Sequence, residues 1–258
     1  MQMHRIKKVL FGLIILGSCA TAQAEETLVR IATEGAFPPY SFVNPDGSLG
    51  GFDVDIANAL CAEMKAKCEL VKQDWDGMIP GLLAKKYDAI VSSMNITPER
   101  QQKVAFSDKY EGGYSMLFGG KHLTDGRPTA LQGKVIAVQK GTVQESFAKD
   151  YYEKAGISLR RYPDIATAKM DLTAGRVDAV LMDVGNIYEA KKDEGLSDYY
   201  AFGEQIKDPA YFGTGAGIAV RKDDPILLGR INQALANILA NGTYKEINDK
   251  YFQYNQYE

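Results

Sequence analysis

Two segments ninety residues apart carry one pattern: LLAKKYDAIVSSM (82–94) aligns without gaps on LTAGRVDAVLMDV (172–184), with identities at Leu82/Leu172, Ala84/Ala174, Asp88/Asp178 and Ala89/Ala179. Each reads as a helix end, a polar turn and a short apolar run of the kind found in strands buried on both faces. Ahead of the first, TLVRIATEG (27–35) alternates like a strand, and GFDVDIANALCAEMKAKC (51–68) sets Phe52, Ile56, Ala59, Leu60 and Met64 at helical spacing. A strand in CELVKQ and a helix in WDGMIPGLLAKK complete a βαβαβ order. Around the second segment the scheme recurs, with GKVIAVQ (133–139), a helix from about Val143, LRRY, a helix over ATAKMDLTAG and the strand DAVLMD (178–183). This predicts an α/β chain with a mixed, mainly parallel sheet and right-handed crossovers, built twice. The plain alternative is that any helix, turn and buried strand look alike over such a length.

The alignment sets Ser92, Ser93 and Asp183 at equivalent carboxyl ends of two strands, and ligands of open α/β sheets bind beyond those ends. Two such lobes facing each other make a cleft. The segments SDKYEGG (107–113) and IKDPAYFGTG (206–215) are rich in Gly, polar and aromatic residues and are the candidate hinge strands. The tail DPILLGRINQALANILANGTYKEINDKYF reads as two helices broken at Asn241-Gly242, packing back on one lobe. The expected division is therefore residues 25–112 with 208–258 in the first lobe and 113–207 in the second.

The first 24 residues carry Arg5, Lys7 and Lys8, an apolar run and an A-x-A site at Ala22 and Ala24. That is the layout of an export signal cleaved after Ala24, and the run is shorter than the ~20 residues of a membrane span. Leu16-Gly17-Ser18-Cys19 loosely matches a lipoprotein box and offers a less favoured lipidation site at Cys19. Export leaves 27 basic against 33 acidic side chains, a net charge of −6 that disfavours nucleic acid as a partner. Cys61 and Cys68 are then the only cysteines, and an oxidising compartment favours a disulfide over two buried thiols. With His122 as the single remaining histidine, metal chemistry has little to work with, and neither metal nor cofactor is expected.

Within the expected cleft, Thr97 is a good N-cap, Pro98 a good first helical residue, and Arg100 brings a planar fork suited to a carboxylate. An ordinary cap beside an ordinary surface arginine fits the same residues. QKGTVQES (139–146) offers a tight turn at Gly141 and a second helix start capped by Thr142. Asp183 is an isolated carboxylate able to face an ammonium group, or simply to cap the next helix. ATEGAFPPYSF supplies Glu34 and Phe37, and QDWDG supplies Trp75, the only tryptophan. Two aromatic walls can sandwich an aliphatic chain while a glutamate takes a distal cation; core aromatics and a solvated glutamate are the bland reading.

These segments resemble the periplasmic solute-binding proteins of polar amino acid ABC importers, especially the lysine/arginine/ornithine- and histidine-binding proteins. The likeness runs through GFDVDIANALCAEM, WDGMIPGLLAKKYDAIVSSMNITPERQQKVAFSDKY, LTAGRVDAVLMD and YFGTGAGIAVRKDD, essentially the whole mature chain. It implies a two-lobed type II periplasmic binding protein fold, each lobe a sheet flanked by helices, joined by two hinge strands. By resemblance Arg100 holds the ligand α-carboxylate, helped by backbone N–H groups at Asn95 and Val143 and by Thr142. Asp183, with Ser93 beside it, takes the α-ammonium, and Glu34, with Ser92 nearby, takes the side-chain cation. Phe37 and Trp75 match the aromatic pair, Gln144 a pocket-lining glutamine, and Cys61 and Cys68 the family disulfide. Asn95 stands where serine or threonine is usual, Val143 where threonine is common, and Gln139 where basic amino acid binders have leucine. Glutamate at position 34 together with Trp75 looks like the arginine-preferring and opine-binding relatives. The expected function is that of a periplasmic monomer that binds a basic L-amino acid, arginine favoured over lysine and ornithine, and delivers it to an inner-membrane permease. The alternatives are an arginine-derived opine as ligand or, from another class, a dehydratase on the same scaffold. The dehydratase would need a general acid and a site for a second carboxylate, whereas the Glu34 side looks built for a cation.

Overall fold

The structure is a computed structural model and describes residues 28–258, so the expected export signal and Cys19 lie outside the described residues. The first part of the chain runs β1 (Leu28–Thr33), a small hairpin sheet of β2 (Ala36–Phe37), β3 (Ser41–Val43) and β4 (Leu49–Gly50), α1 (Phe52–Glu63), β5 (Lys67–Lys72), α2 (Met78–Leu83), β6 (Ala89–Ile90), the single turn α3 (Pro98–Gln101) and β7 (Ala105–Glu111). The chain then crosses to β8 (Ser115–Gly120), β9 (Val135–Gln139), α4 (Val143–Tyr151), β10 (Ser158–Tyr162), α5 (Ile165–Thr173), β11 (Ala179–Asp183), α6 (Val184–Ala190) and β12 (Tyr199–Ile206). It returns through the turn α7 (Pro209–Phe212) to β13 (Ala216–Val220), α8 (Pro225–Ala240) and α9 (Thr243–Tyr251).

Two five-stranded sheets result, with strand orders β5-β1-β6-β13-β7 and β10-β9-β11-β8-β12. They have the same plan. In each, three strands from the βαβαβ scheme are parallel, and two strands adjoining the crossings add antiparallel pairings. Four of the five strands in each sheet run the same way, as expected of a mixed, mainly parallel sheet, and the one reversed strand, β13 or β8, is the one that arrives from the other sheet and need not follow a right-handed βαβ crossover. The second crossing is not a continuous strand, since it carries the turn α7.

The aligned segments prove structurally equivalent. Ala89 and Ile90 pair with Ile31 and Ala32, and Ala179 and Val180 pair with Ile136 and Ala137. The shared aspartates explain why the turn is kept: Asp88 accepts the Arg30 backbone N–H at 3.0 Å, and Asp178 accepts that of Val135 at 2.9 Å. Each carboxylate thus pins the start of its strand to the neighbouring one. Asp88 also takes ion pairs from Arg30 and Arg221 at 3.0 and 3.1 Å, whereas among the described residues Asp178 has Lys134 alone, at 3.1 Å.

Helices cover both faces of each sheet. On the first, α1, α8 and α9 bury Phe52, Ile56, Leu60, Leu235 and Tyr244 against one face, while Met78 and Leu82 of α2 pack on the other with Ile90. On the second, Ile165, Leu172 and Ile187 lie on one side and Ala148 and Tyr152 on the other. A disulfide joins Cys61 at the end of α1 to Cys68 in β5, with Cα atoms 6.2 Å apart.

Burial pushes the Asp88 carboxyl up, but its bonds to Arg30 and Arg221 prevail and hold it below the usual carboxylate range. Its stabilising contribution is therefore complete above the unfolded-state value near 4 and is lost as pH falls through the lower folded value. Denaturant titration should find Asp88→Asn destabilising by about 1–3 kcal/mol at neutral pH, with a smaller loss for Asp178→Asn, which has one cationic partner instead of two. Equal losses, or a loss for Asp88→Asn that persists undiminished at pH 3, would contradict this account.

Candidate functional site

A cavity of about 190 Å³ lies between the carboxyl ends of the two sheets, and all twelve residues named from the sequence line it. From the first sheet's side come Glu34 and Phe37 after β1, Trp75 after β5, Ser92, Ser93 and Asn95 after β6, and Arg100 from α3. From the second come Gln139 at the end of β9, Thr142, Val143 and Gln144 at the start of α4, and Asp183 at the end of β11. Sheet topology brings these together, because parallel strands end on one edge.

Arg100 donates to the Asn95 carbonyl at 3.0 Å and, across the cavity, to the Gly141 carbonyl at 3.3 Å. Its guanidinium lies over the Trp75 ring, 5.3 Å from the centroid. Loss of water lowers its pKa to about 10, which leaves it charged at neutral pH. The helix expected from Pro98 is a single turn, capped by Thr97, whose hydroxyl accepts from the Arg100 N–H at 3.3 Å. The side chain of Arg100, not a helix end, is therefore the cationic element here.

Asp183 both caps and faces the cavity. Its carboxylate accepts from the Gly185 N–H at 2.9 Å and from the Tyr40 hydroxyl. Burial lifts its pKa to about 6, against those two hydrogen bonds. Glu34 is only 3 % exposed, and its carboxylate accepts from the Gln139 amide at 2.6 Å. Burial raises its pKa to about 7, the Gln139 bond opposing. Gln139 donates also to the Pro163 carbonyl at 3.2 Å, so its amide is fixed with the donor end toward Glu34.

The serines serve as supports. Ser92 accepts the Glu34 backbone N–H at 3.1 Å. Ser93 has a left-handed φ of 46°, unusual for a residue with a Cβ, and its hydroxyl donates to the buried Asp53 at 3.0 Å. Asn95 turns its amide to the Phe212 carbonyl at 3.1 Å, tying the strand end to the second crossing. There Gly213, at φ 65°, passes so close that a Cβ would strike the Ile96 carbonyl. Thr142 caps α4 and spends its proton on the Gln139 carbonyl at 2.7 Å; Gln144 donates to Ser115 at 3.0 Å.

Contacts bridge the cavity's two sides: Trp75 Nε1 donates to the Gly141 carbonyl at 3.1 Å, Asn186 to the Pro38 carbonyl at 2.7 Å, and Lys140 pairs with Asp76 at 3.2 Å. Sequence reading missed Tyr40, Asp53, Tyr110, Glu111 and Gln256. Tyr110 donates to Asp53 at 2.6 Å, and Gln256 donates to Tyr40 at 3.0 Å and to Glu111 at 3.1 Å. The one available signal was an acid directly before the Gly112-Gly113 pair of an expected crossing.

Residues 29–254 match the family described as bacterial extracellular solute-binding proteins, family 3. The chain is similar to the L-arginine-binding protein of Pseudomonas aeruginosa, 45% identical over 97% of this chain and 98% of that one. It is 38% identical to the lysine/arginine/ornithine-binding periplasmic protein of Escherichia coli, over 98% and 99% of the two chains. Among solved structures, a Salmonella typhimurium periplasmic binding protein described for high arginine specificity superposes with a TM-score of 0.82 at 36% identity, covering 88% of this chain and all of that one. With a match from strand β1 to the last residues and an α/β architecture to go with it, this chain belongs to the bacterial extracellular solute-binding proteins, family 3.

Proposed function

We propose that this protein is the periplasmic receptor of an ABC importer for a basic L-amino acid, arginine foremost with lysine and ornithine behind it, and that it passes the ligand as a monomer to a membrane permease. The observation that carries the reading is the charge pattern among the twelve cavity residues named from the sequence: one cation, Arg100, and two acids, Glu34 and Asp183, in separate hydrogen-bond groups. A basic amino acid has one anionic and two cationic groups. Arg100 takes its carboxylate, with the first N–H groups of α4; Asp183 takes the α-ammonium; Glu34 takes the side-chain cation. Phe37 and Trp75 flank the aliphatic stem. Every charge withdrawn from water thereby gains a partner, without which burial would be prohibitive. Relatives named for arginine and for lysine, arginine and ornithine support the same ligand class.

An arginine-derived opine has one observation in its favour: Lys109 and Lys207 also line the cavity and offer cations to a second carboxylate. A thermal-shift screen of unliganded protein against arginine, lysine, ornithine and an opine separates the readings, since the tightest ligand stabilises most by mass action. Arginine is expected to give the largest shift. Prephenate and arogenate belong in the same screen, because turnover of either would replace the receptor reading with a dehydratase.

Two further results are expected. By calorimetry, Arg100→Ala and Asp183→Ala each weaken arginine binding by about 2 kcal/mol or more, roughly thirtyfold in Kd, the cost of leaving a buried charge unpaired. Near-wild-type affinity in either variant would remove that residue from the site. The second concerns pH. A bound cation favours ionised Glu34, so binding must expel its proton once pH falls below about 7. Arginine affinity should therefore drop on acidification, by up to about tenfold per pH unit from this group, and Asp183 should steepen the fall below about pH 6. Glu34→Gln should lower the affinity and flatten the profile between pH 6 and 8; an unchanged profile would rule out ionised Glu34 as the cation's partner.

A further inference from the structure

Glu111, which ends β7 just before the first crossing, is a second acid beside Asp183 that faces the same cavity. It is 3 % exposed. Its Oε1 accepts from the Gln256 amide at 3.1 Å, while its Oε2 is sealed from solvent and has no hydrogen-bond partner among the described residues. The same Gln256 amide donates to the Tyr40 hydroxyl at 3.0 Å, and that hydroxyl donates to Asp183. One network from the C-terminal segment thus holds both acids. Gly113 runs alongside it, where a Cβ would lie 3.6 Å from Asp183 Oδ2 and 3.5 Å from the Gln256 amide. Gly112 is fixed too, donating its N–H to the Gln256 carbonyl at 2.7 Å.

The acids of this corner have neutral hydrogen-bond partners. Among the described residues no lysine or arginine hydrogen-bonds to Glu111, Asp183 or the nearby Asp53; their donors are Gln256, Tyr40, Gly185, Tyr110 and Ser93. Lys109, on the same strand, sends its ammonium over the Tyr257 ring instead. Burial, then the charges of Asp53 and Asp183, push the Glu111 carboxyl well above its usual range. A buried carboxylate oxygen with no donor is costly, and an arriving cation is what relieves both the missing bond and the repulsion between acids.

We infer that Glu111 is a ligand-binding residue that shares the ligand's primary ammonium with Asp183. The inference rests on the amino-acid reading of the cavity and adds a residue to it. A primary ammonium has three N–H donors; both hydrogen bonds that Asp183 already accepts fall on Oδ1, which leaves Oδ2 to take part of the ammonium and room for a second acid to take the rest. Glu111 Oε2 accepts another once the side chain turns from its sealed position toward the cavity that it lines. The role is specific to the ammonium end, so Glu111 discriminates between ligands that have that group and ligands that lack it.

The test is calorimetry, direct and by competition, with arginine and with des-amino arginine, which keeps the carboxylate and guanidinium but has no α-ammonium. Glu111→Gln keeps the size of the side chain and a carbonyl for Gln256. It should weaken arginine by at least about tenfold, as expected for removing one partner of a buried charge, and change des-amino arginine by no more than about twofold. The preference for arginine over its des-amino analogue therefore narrows. An unchanged preference, whether because arginine is unaffected or because both ligands lose equally, overturns the assignment of Glu111 and leaves the parent reading standing. Wild-type protein that binds none of arginine, lysine and ornithine overturns the parent reading and this one together. Thermal unfolding of each unliganded variant checks the fold, and if Glu111→Gln fails to fold, Glu111→Asp, which withdraws the carboxylate by one methylene, must narrow the same preference.

Discussion

A charge moved out of water needs a partner, and the space between the two sheets is organised by that requirement. Arg100 is held by carbonyls and an aromatic ring, so its orientation is set without cancelling its charge. Glu34 is given an amide, and Asp183 a hydroxyl and a backbone N–H. These neutral donors keep each acid in position while leaving its charge unpaired among the described residues. The raised pKa values of Glu34 and Asp183 have the same origin, because burial is their largest cause. An acid held in this way is shifted further toward its ionised form when a cation arrives.

The framework that makes this possible is a repeated one. Two sheets with the same plan present their carboxyl ends to a common space, and in each an aspartate fastens the first strand to the third. The crossings at residues 112–114 and 207–215 are the only links between sheets along the chain of the described residues, and the C-terminal segment packs against the first of them through Gln256. The tail is therefore part of the site's support, where its sequence suggested only two helices packed on a lobe.

Much of this could be read from residues alone. The echo around Asp88 and Asp178 located two equivalent strand ends, and strand-end logic then selected Ser92, Ser93 and Asp183. Gly141-Thr142 and Thr97-Pro98 marked the element starts beside them. Less legible were the elements with weak periodicity: the hairpin over residues 36–50, the two-residue strand β6, and the antiparallel strands adjoining the crossings. Such short or edge-adjoining strands are chosen by their partners, not by local pattern. Asp53 illustrates the limit most clearly. It sits in a helix whose other inward residues are apolar, yet it is fully buried, and only Tyr110 and Ser93, 57 and 40 residues away, account for it.

The sequence by itself determined the alternation of strands and helices, the duplicated plan, the pair of cysteines and the residue types available at strand ends, because periodicity, capping and turn chemistry act over a few neighbours. Tertiary structure alone decided which polar groups are spent and which are left facing the cavity. Thr142 and Ser93 look like free donors in the sequence, but their protons go to Gln139 and Asp53. Glu111 looks like a surface acid before two glycines, but it is buried with one oxygen unmatched. Hydrogen-bond partners across the fold lie far apart along the chain, so no local pattern can assign them.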